Sequence, residues 1–203
     1  MQKKIVNTAA AKEMDQIVSL LGDLLKEISS AFMNHRLSLK YRKATDDISG
    51  QIRKTLVSLS ETASEMGGPE ALAVQSATLN LSKVFYDTLH LGHQVESKVK
   101  EKVMFSEEAV AEMSDLLRRT TDLLPHVADV VRTCNPLIVE HVNKEADELR
   151  NSAANSTVMH EARLCKGQCH PKASVIFMQM LQNLQDILWH FKALSCEQTV
   201  PKV

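Results

Sequence analysis

The chain has 203 residues, a formal net charge of −1 and 24% charged residues, enough for one domain or two small ones with a sizeable core. That charge gives no electrostatic case for nucleic acid, and a 4% aromatic content argues against base-stacking platforms. Six glycines and five prolines among abundant Leu, Ala, Val, Glu and Lys point to long helices.

The N-terminal stretch MQKKIVNTAAAKEMDQ has basic residues but no apolar segment after them, so it does not read as a signal peptide. Met14, Ile17, Leu21, Leu24, Ile28 and Phe32 then recur at three- and four-residue steps, the stripe of an amphipathic helix. Ile48, Ile52, Leu56, Leu59, Ala63 and Met66 make a second stripe, which Gly67-Gly68-Pro69 stops. Val74, Thr78, Leu81 and Phe85 open a third, running past Gly92 to about residue 100. Ser106 followed by Glu107 and Glu108 is a helix start, with a capping hydroxyl and two acids at the positive end of the helix dipole.

Val110, Met113, Leu117, Leu124 and Val127 form the fourth stripe, in which Pro125 predicts a kink. Asn135-Pro136 fits an N-cap with proline in the first turn. Ile138, His141, Leu149 and Ala153 give a weaker fifth stripe, interrupted at Gly167, where a left-handed residue is expected. His170-Pro171 restarts the chain, and Phe177, Leu181, Leu184, Leu188 and Phe191 form the sixth stripe. Strand signals are missing, and no apolar run approaches the roughly 20 residues of a membrane span.

Six helices invite a search for a repeat. Met14-Asp15-Gln16-Ile17 aligns with Met113-Ser114-Asp115-Leu116, 99 residues later. Lys43 and Asp46 match Lys144 and Asp147, and Asn80-Leu81 matches Asn183-Leu184, each followed at the same place by an aromatic residue, Tyr86 or Trp189. The predicted fold is all-α, with two tandem three-helix units over 1–104 and 105–203.

Chemistry-bearing motifs are sparse. Cys165-Lys-Gly-Gln-Cys169-His170 has one residue too many between its cysteines for c-type haem, and a structural zinc site needs two further ligands. His160 or His190 could supply them, but the plainer reading is a helix joint with cysteines as small, half-buried residues. Cys134 and Cys196 complete a set too scattered for a secreted disulfide framework. No Glu has a His three residues later, as a ferritin-like di-iron centre requires. The acidic pairs Asp23/Glu27, Glu61/Glu65 and Glu108/Glu112 read as solvated faces, and Asp186 and His190, four apart, as a charge-assisted pair. Neither a P-loop nor a nucleophile elbow occurs.

His160-x-x-Arg163-Leu164-x-x-Gly167-x-Cys169, then Phe177 and Asn183-Leu184, resembles the closing segment of PhoU-like domains. The likeness is nearest to those at the cytosolic C-terminus of bacterial sodium/phosphate cotransporters. It implies a PhoU-like six-helix bundle, not an enzyme, that regulates a sodium-dependent phosphate transporter by protein contact. The implied partner is the transporter segment of the same or a neighbouring protein, or a second copy of the chain, with no nucleic acid and no membrane insertion by the chain itself. The implied location is cytoplasmic, at the inner face of the membrane. The alternatives are a stand-alone regulator of an ABC phosphate importer and its sensor kinase, and a helical scaffold unrelated to phosphate.

In that family a Glu-x-x-x-Asp after each Asn-Leu step binds metal clusters. Here those positions hold Ser82 and Tyr86 in the first unit and Gln185 and Trp189 in the second. No metal or other cofactor is therefore expected; Asp46, Asp147 and His190 are the residual candidates, and Tyr86 and Trp189 are expected to fill the inter-unit face.

Overall fold

A computed structural model of the chain describes residues 8–196, and these are all-helical. The helices are α1 (Thr8–Met33), α2 (Tyr41–Glu65), α3 (Gly68–Lys100), α4 (Glu107–Thr133), α5 (Pro136–Cys165) and α6 (Pro171–Cys196). Local chemistry sets most boundaries. Pro69 sits in the first turn of α3, where its missing N–H costs nothing. The Ser106 hydroxyl accepts from the Ala109 N–H at 3.3 Å to start α4, and the Asn135 side chain accepts from the Leu137 N–H at 3.0 Å to start α5. α4 continues through Pro125, which is exposed.

Helix endings share one device. After α1, α3 and α5 the chain turns through a left-handed residue: His35 (φ 45°), Lys102 (φ 53°) and Gly167 (φ 69°). In each case the N–H of the following residue returns to a carbonyl five residues back: Arg36 to Ala31, Val103 to Lys98 and Gln168 to Arg163. This is the Schellman arrangement. Only the third uses the residue that adopts a positive φ without steric cost.

Packing follows the apolar stripes. α1, α2 and α3 pack on one another, as do α4, α5 and α6; α1 also crosses α4, and α3 crosses α6. One apolar core runs through all six helices, from Ala10, Met14 and Ile17 in α1 to Leu188, Phe191 and Leu194 in α6. The fifth stripe differs from its predicted register. The buried residues of α5 are Val139, Val142, Ala146, Leu149, Ala153, Ser156 and His160, whereas Ile138 is only partly buried and His141 is exposed. Among the described residues no helix is long and apolar enough to cross a membrane.

The loop between α3 and α4 is more than a tether. Phe105 lies 6.1 Å from the Phe32 ring of α1 and 5.5 Å, edge to face, from Phe177 of α6. The Lys98 ammonium lies 5.1 Å from the ring centroids of both Phe32 and Phe105. Lys98 is only 3% exposed, and its Nζ meets His35 Nδ1 at 2.8 Å. An ammonium can only donate, so Nδ1 accepts and the imidazole is neutral. Burial lowers the lysine's pKa, and burial followed by the nearby ammonium lowers that of His35.

Among the described residues no carboxylate pairs with this cation; two ring faces and one nitrogen surround it. Lys98→Met, which keeps the stem and removes the charge, is expected to hold stability within about 1 kcal/mol of the wild type or raise it. Lys98→Glu turns a carboxylate toward the same rings and is expected to cost about 3 kcal/mol or more. Urea midpoints of the two variants measure the difference.

Candidate functional site

The joint between α5 and α6 gathers most of the sequence motif. Arg163 reaches α4 and donates two parallel hydrogen bonds to Glu112, at 2.8 and 3.0 Å, in a half-buried fork. Arg163 stays charged, held first by Glu112 and secondarily by neighbouring Cys169. One turn earlier His160 is 3% exposed and stacks on Phe177 with 4.6 Å between centroids. Among the described residues neither of its ring nitrogens has a hydrogen-bond partner. Burial, then the Arg163 charge, lowers its pKa, so the ring is neutral and acts as a flat apolar plate.

Gly167 is left-handed, as its place after the fifth stripe predicts, and a Cβ there would meet nothing within 4 Å. Leu164 and Cys165 are exposed and Cys169 is half-buried, with both thiols free; the expected half-burial thus holds for Cys169 and not for Cys165. His170 caps α6: its Nδ1 accepts from the Lys172 N–H at 3.2 Å and its carbonyl from the Ser174 N–H at 3.0 Å. Every motif residue from Arg163 to His170 thus ends one helix, begins the next, or ties the joint to α4.

A second polar region lies where α3 crosses α6. Leu184 is fully buried there, and Asn183 is half-buried beside it. His190 Nδ1 meets Asn80 Oδ1 at 2.9 Å, joining the two helices across 110 positions of sequence. Burial lowers the His190 pKa, opposed by Asp186. Asp186 itself accepts from Gln182 at 2.9 Å. Asp87 is held up at about 6, by burial first and by Asp186 second, with His90 and Lys83 pulling it back. Sequence reading missed Asp87 and the Asn80 link; the signal was available, since Asp87 precedes His190 by the same 103 residues that separate Asn80 from Asn183.

Two of the four positions that the resemblance assigns to metal ligands face solvent. The Ser82 hydroxyl donates to the Thr78 carbonyl at 2.8 Å. Tyr86 is 52% and Trp189 51% exposed, so these rings do not fill the space between the two halves. The reason is helical phase. Phe85 and Leu188, one residue earlier, are fully buried, and each step along a helix turns the side chain by about 100°.

The residual candidates are separated as well. Both oxygens of Asp147 bind the Lys192 ammonium at 2.7 Å, His190 is engaged by Asn80, and Asp46 lines a small pocket among α1, α2 and α3. Among the described residues no group of three or more His, Cys, Asp or Glu side chains could hold a metal ion. No family model matches the chain, and no curated protein and no solved structure matches it either.

Two expectations follow. At Gly167 the cost of a side chain comes from the backbone alone, so Gly167→Ala should destabilise by about 1 kcal/mol and Gly167→Val by up to about 3 kcal/mol, read from urea midpoints. Asp87 binds its proton more tightly in the fold than in the unfolded chain. Its contribution is therefore favourable at low pH and is lost as pH rises from about 4 through about 6. Asp87→Asn should match the wild type near pH 4 and exceed it near pH 8 by about 1 kcal/mol after solvent screening, measured as paired melting curves.

Proposed function

We propose that the chain is a PhoU-like regulatory domain that acts on a sodium-dependent phosphate transporter by helix-face contact rather than by catalysis. On this reading it consists of two three-helix units, α1–α3 and α4–α6, related by an approximate two-fold. The packing supports that division: each triplet is internally packed, and the helices that cross between triplets are the corresponding pairs α1 with α4 and α3 with α6.

One observation carries the docking role. Leu72, Leu79 and Tyr86 recur at seven-residue steps along α3, and all are exposed. Seven-residue steps keep side chains on one helix face. Val175 and Trp189 stand at the corresponding places on α6, also exposed, with Gln182 between them. Adjoining helices therefore each present apolar side chains to solvent in the same register. Large exposed apolar residues in such an arrangement mark contact surfaces more often than chance. The resemblance of the α5–α6 joint to PhoU-like domains supplies the class of partner, with the chain placed at the inner face of the membrane.

The test is phosphate uptake by cells carrying a sodium-dependent phosphate transporter, with and without this chain. Uptake should change when the chain is present, and Leu79→Asp combined with Trp189→Asp should abolish that change while leaving the melting temperature within about 2 °C, since both side chains are exposed. Uptake indifferent to the chain would overturn the reading, and an effect confined to ATP-driven import would favour the stand-alone regulator.

A further inference from the structure

The net charge of −1 hides an uneven distribution. The loops 34–40, 101–106 and 166–170 meet at one end of the bundle. Lys98, just before the second loop, reaches His35 of the first at 2.8 Å, and Lys172, just after the third, pairs with Glu101 of the second at 2.5 Å. Arg36, Lys40, Arg42, Lys43, Lys102 and Lys166 lie in or beside these loops and are all exposed. Among the described residues none of the six forms an ion pair. The exposed acids Glu107 and Glu108 open α4, where the free N–H groups of its first turn offset their charge, and Glu161 lies near the end of α5. The far end differs. Residues 55–82, which hold the turn between α2 and α3, carry Glu61, Glu65 and Glu70 and no lysine or arginine. The length of α2, 25 residues or about 37 Å, separates that turn from loop 34–40 and exceeds the screening length several-fold.

Apolar side chains are exposed in the same place. Leu39 is 101% exposed, Met104 68% and Leu164 37%. Each stands within two residues of an unpaired cation: Leu39 before Lys40, Met104 after Lys102, Leu164 before Lys166. A single exposed leucine is ordinary. One beside a free cation at each of three adjoining loops is a pattern, and it fits a planar partner with anions at one depth and hydrocarbon just beneath. A soluble polyanion offers the charge without the apolar layer. We infer that this end of the bundle binds the surface of a bilayer that carries anionic phospholipids. The lysines and arginines lie among the headgroup phosphates, and Leu39, Met104 and Leu164 reach the acyl boundary. The contact is peripheral and needs no helix to cross. It stands apart from the docking reading, which concerns the outer face of α3 and α6: vesicle binding is measured without a transporter, so either can fail alone.

Co-sedimentation of the purified full chain with vesicles tests it. Vesicles of phosphatidylcholine with about one-third phosphatidylserine should carry the chain down, vesicles of phosphatidylcholine alone should not, and binding should fall as salt rises from about 0.1 M to about 0.5 M. Lys40→Gln, Lys43→Gln and Lys166→Gln combined should weaken it about a hundredfold, at about fivefold per charge. Leu39→Ser should weaken it about fivefold or more. All four positions are exposed, and an unchanged melting temperature verifies the fold. The same loss of charge through Lys12→Gln, Lys54→Gln and Lys83→Gln, at exposed positions away from these loops, should leave binding within about threefold. No sedimentation with the anionic vesicles would overturn the proposal, as would equal loss in the two triple variants. Equally tight binding of duplex DNA, indifferent to Leu39→Ser, would overturn it in favour of a soluble polyanion.

Discussion

The tightest constraint in this bundle is geometric: the rings of Phe32 and Phe105 must pack around the stem and ammonium of a buried Lys98. It lies where the chain leaves α3 and enters α4. A buried cation is tolerated only where other groups replace water, and here the faces of two rings and a neutral imidazole do so. The geometry propagates. Phe105 must present its face to Lys98 and stand perpendicular to Phe177, and Phe177 must stack on His160. Four aromatic rings from α1, the linker, α6 and α5 are thereby fixed in one row. The row joins three helices and the linker, and the left-handed turn at His35 reaches it through Lys98.

Much of the fold could be read from the chain because its signals are local. Stripes of Leu, Ile and Phe gave five of the six helices with the right faces, and Ser106, Asn135 and Gly167 marked ends through hydrogen bonds that span two to five residues. The fifth helix was harder. Its buried face is built of Ala146, Ala153, Ser156 and His160 with only three aliphatic residues, so hydrophobicity alone picked the neighbouring phase. Small residues carry little apolar signal of their own, and the face they form is visible only when the neighbouring helices are in place.

The site was less legible for a physical reason of another kind. Motif spacing identifies which residues share a helix face, but not what lies opposite. Asp147 and Asp46 look equivalent in sequence; one holds a lysine from α6 and the other opens onto a cavity. His190 and Asp87 occupy corresponding places, and burial affects them in opposite senses: it lowers the pKa of the base and raises that of the acid, so each favours its neutral form. The crossing of α3 over α6 thus disfavours charge on both partners and is joined by the Asn80–His190 hydrogen bond. Aromatic bulk at Tyr86 and Trp189 suggested burial, yet a single step of helical phase sends each outward.

The chain has one tryptophan, and its position gives the protein a built-in optical reporter. Trp189 is half-exposed on the outer face of α6, with the ring of His190 4.8 Å away at 89°. Indole emission shifts to shorter wavelength when water leaves the ring, and a protonated imidazole beside it quenches that emission. Covering of the α3/α6 face and protonation at the helix crossing therefore produce distinct spectral changes, one in wavelength and one in intensity. Neither requires a label, because no second indole contributes background.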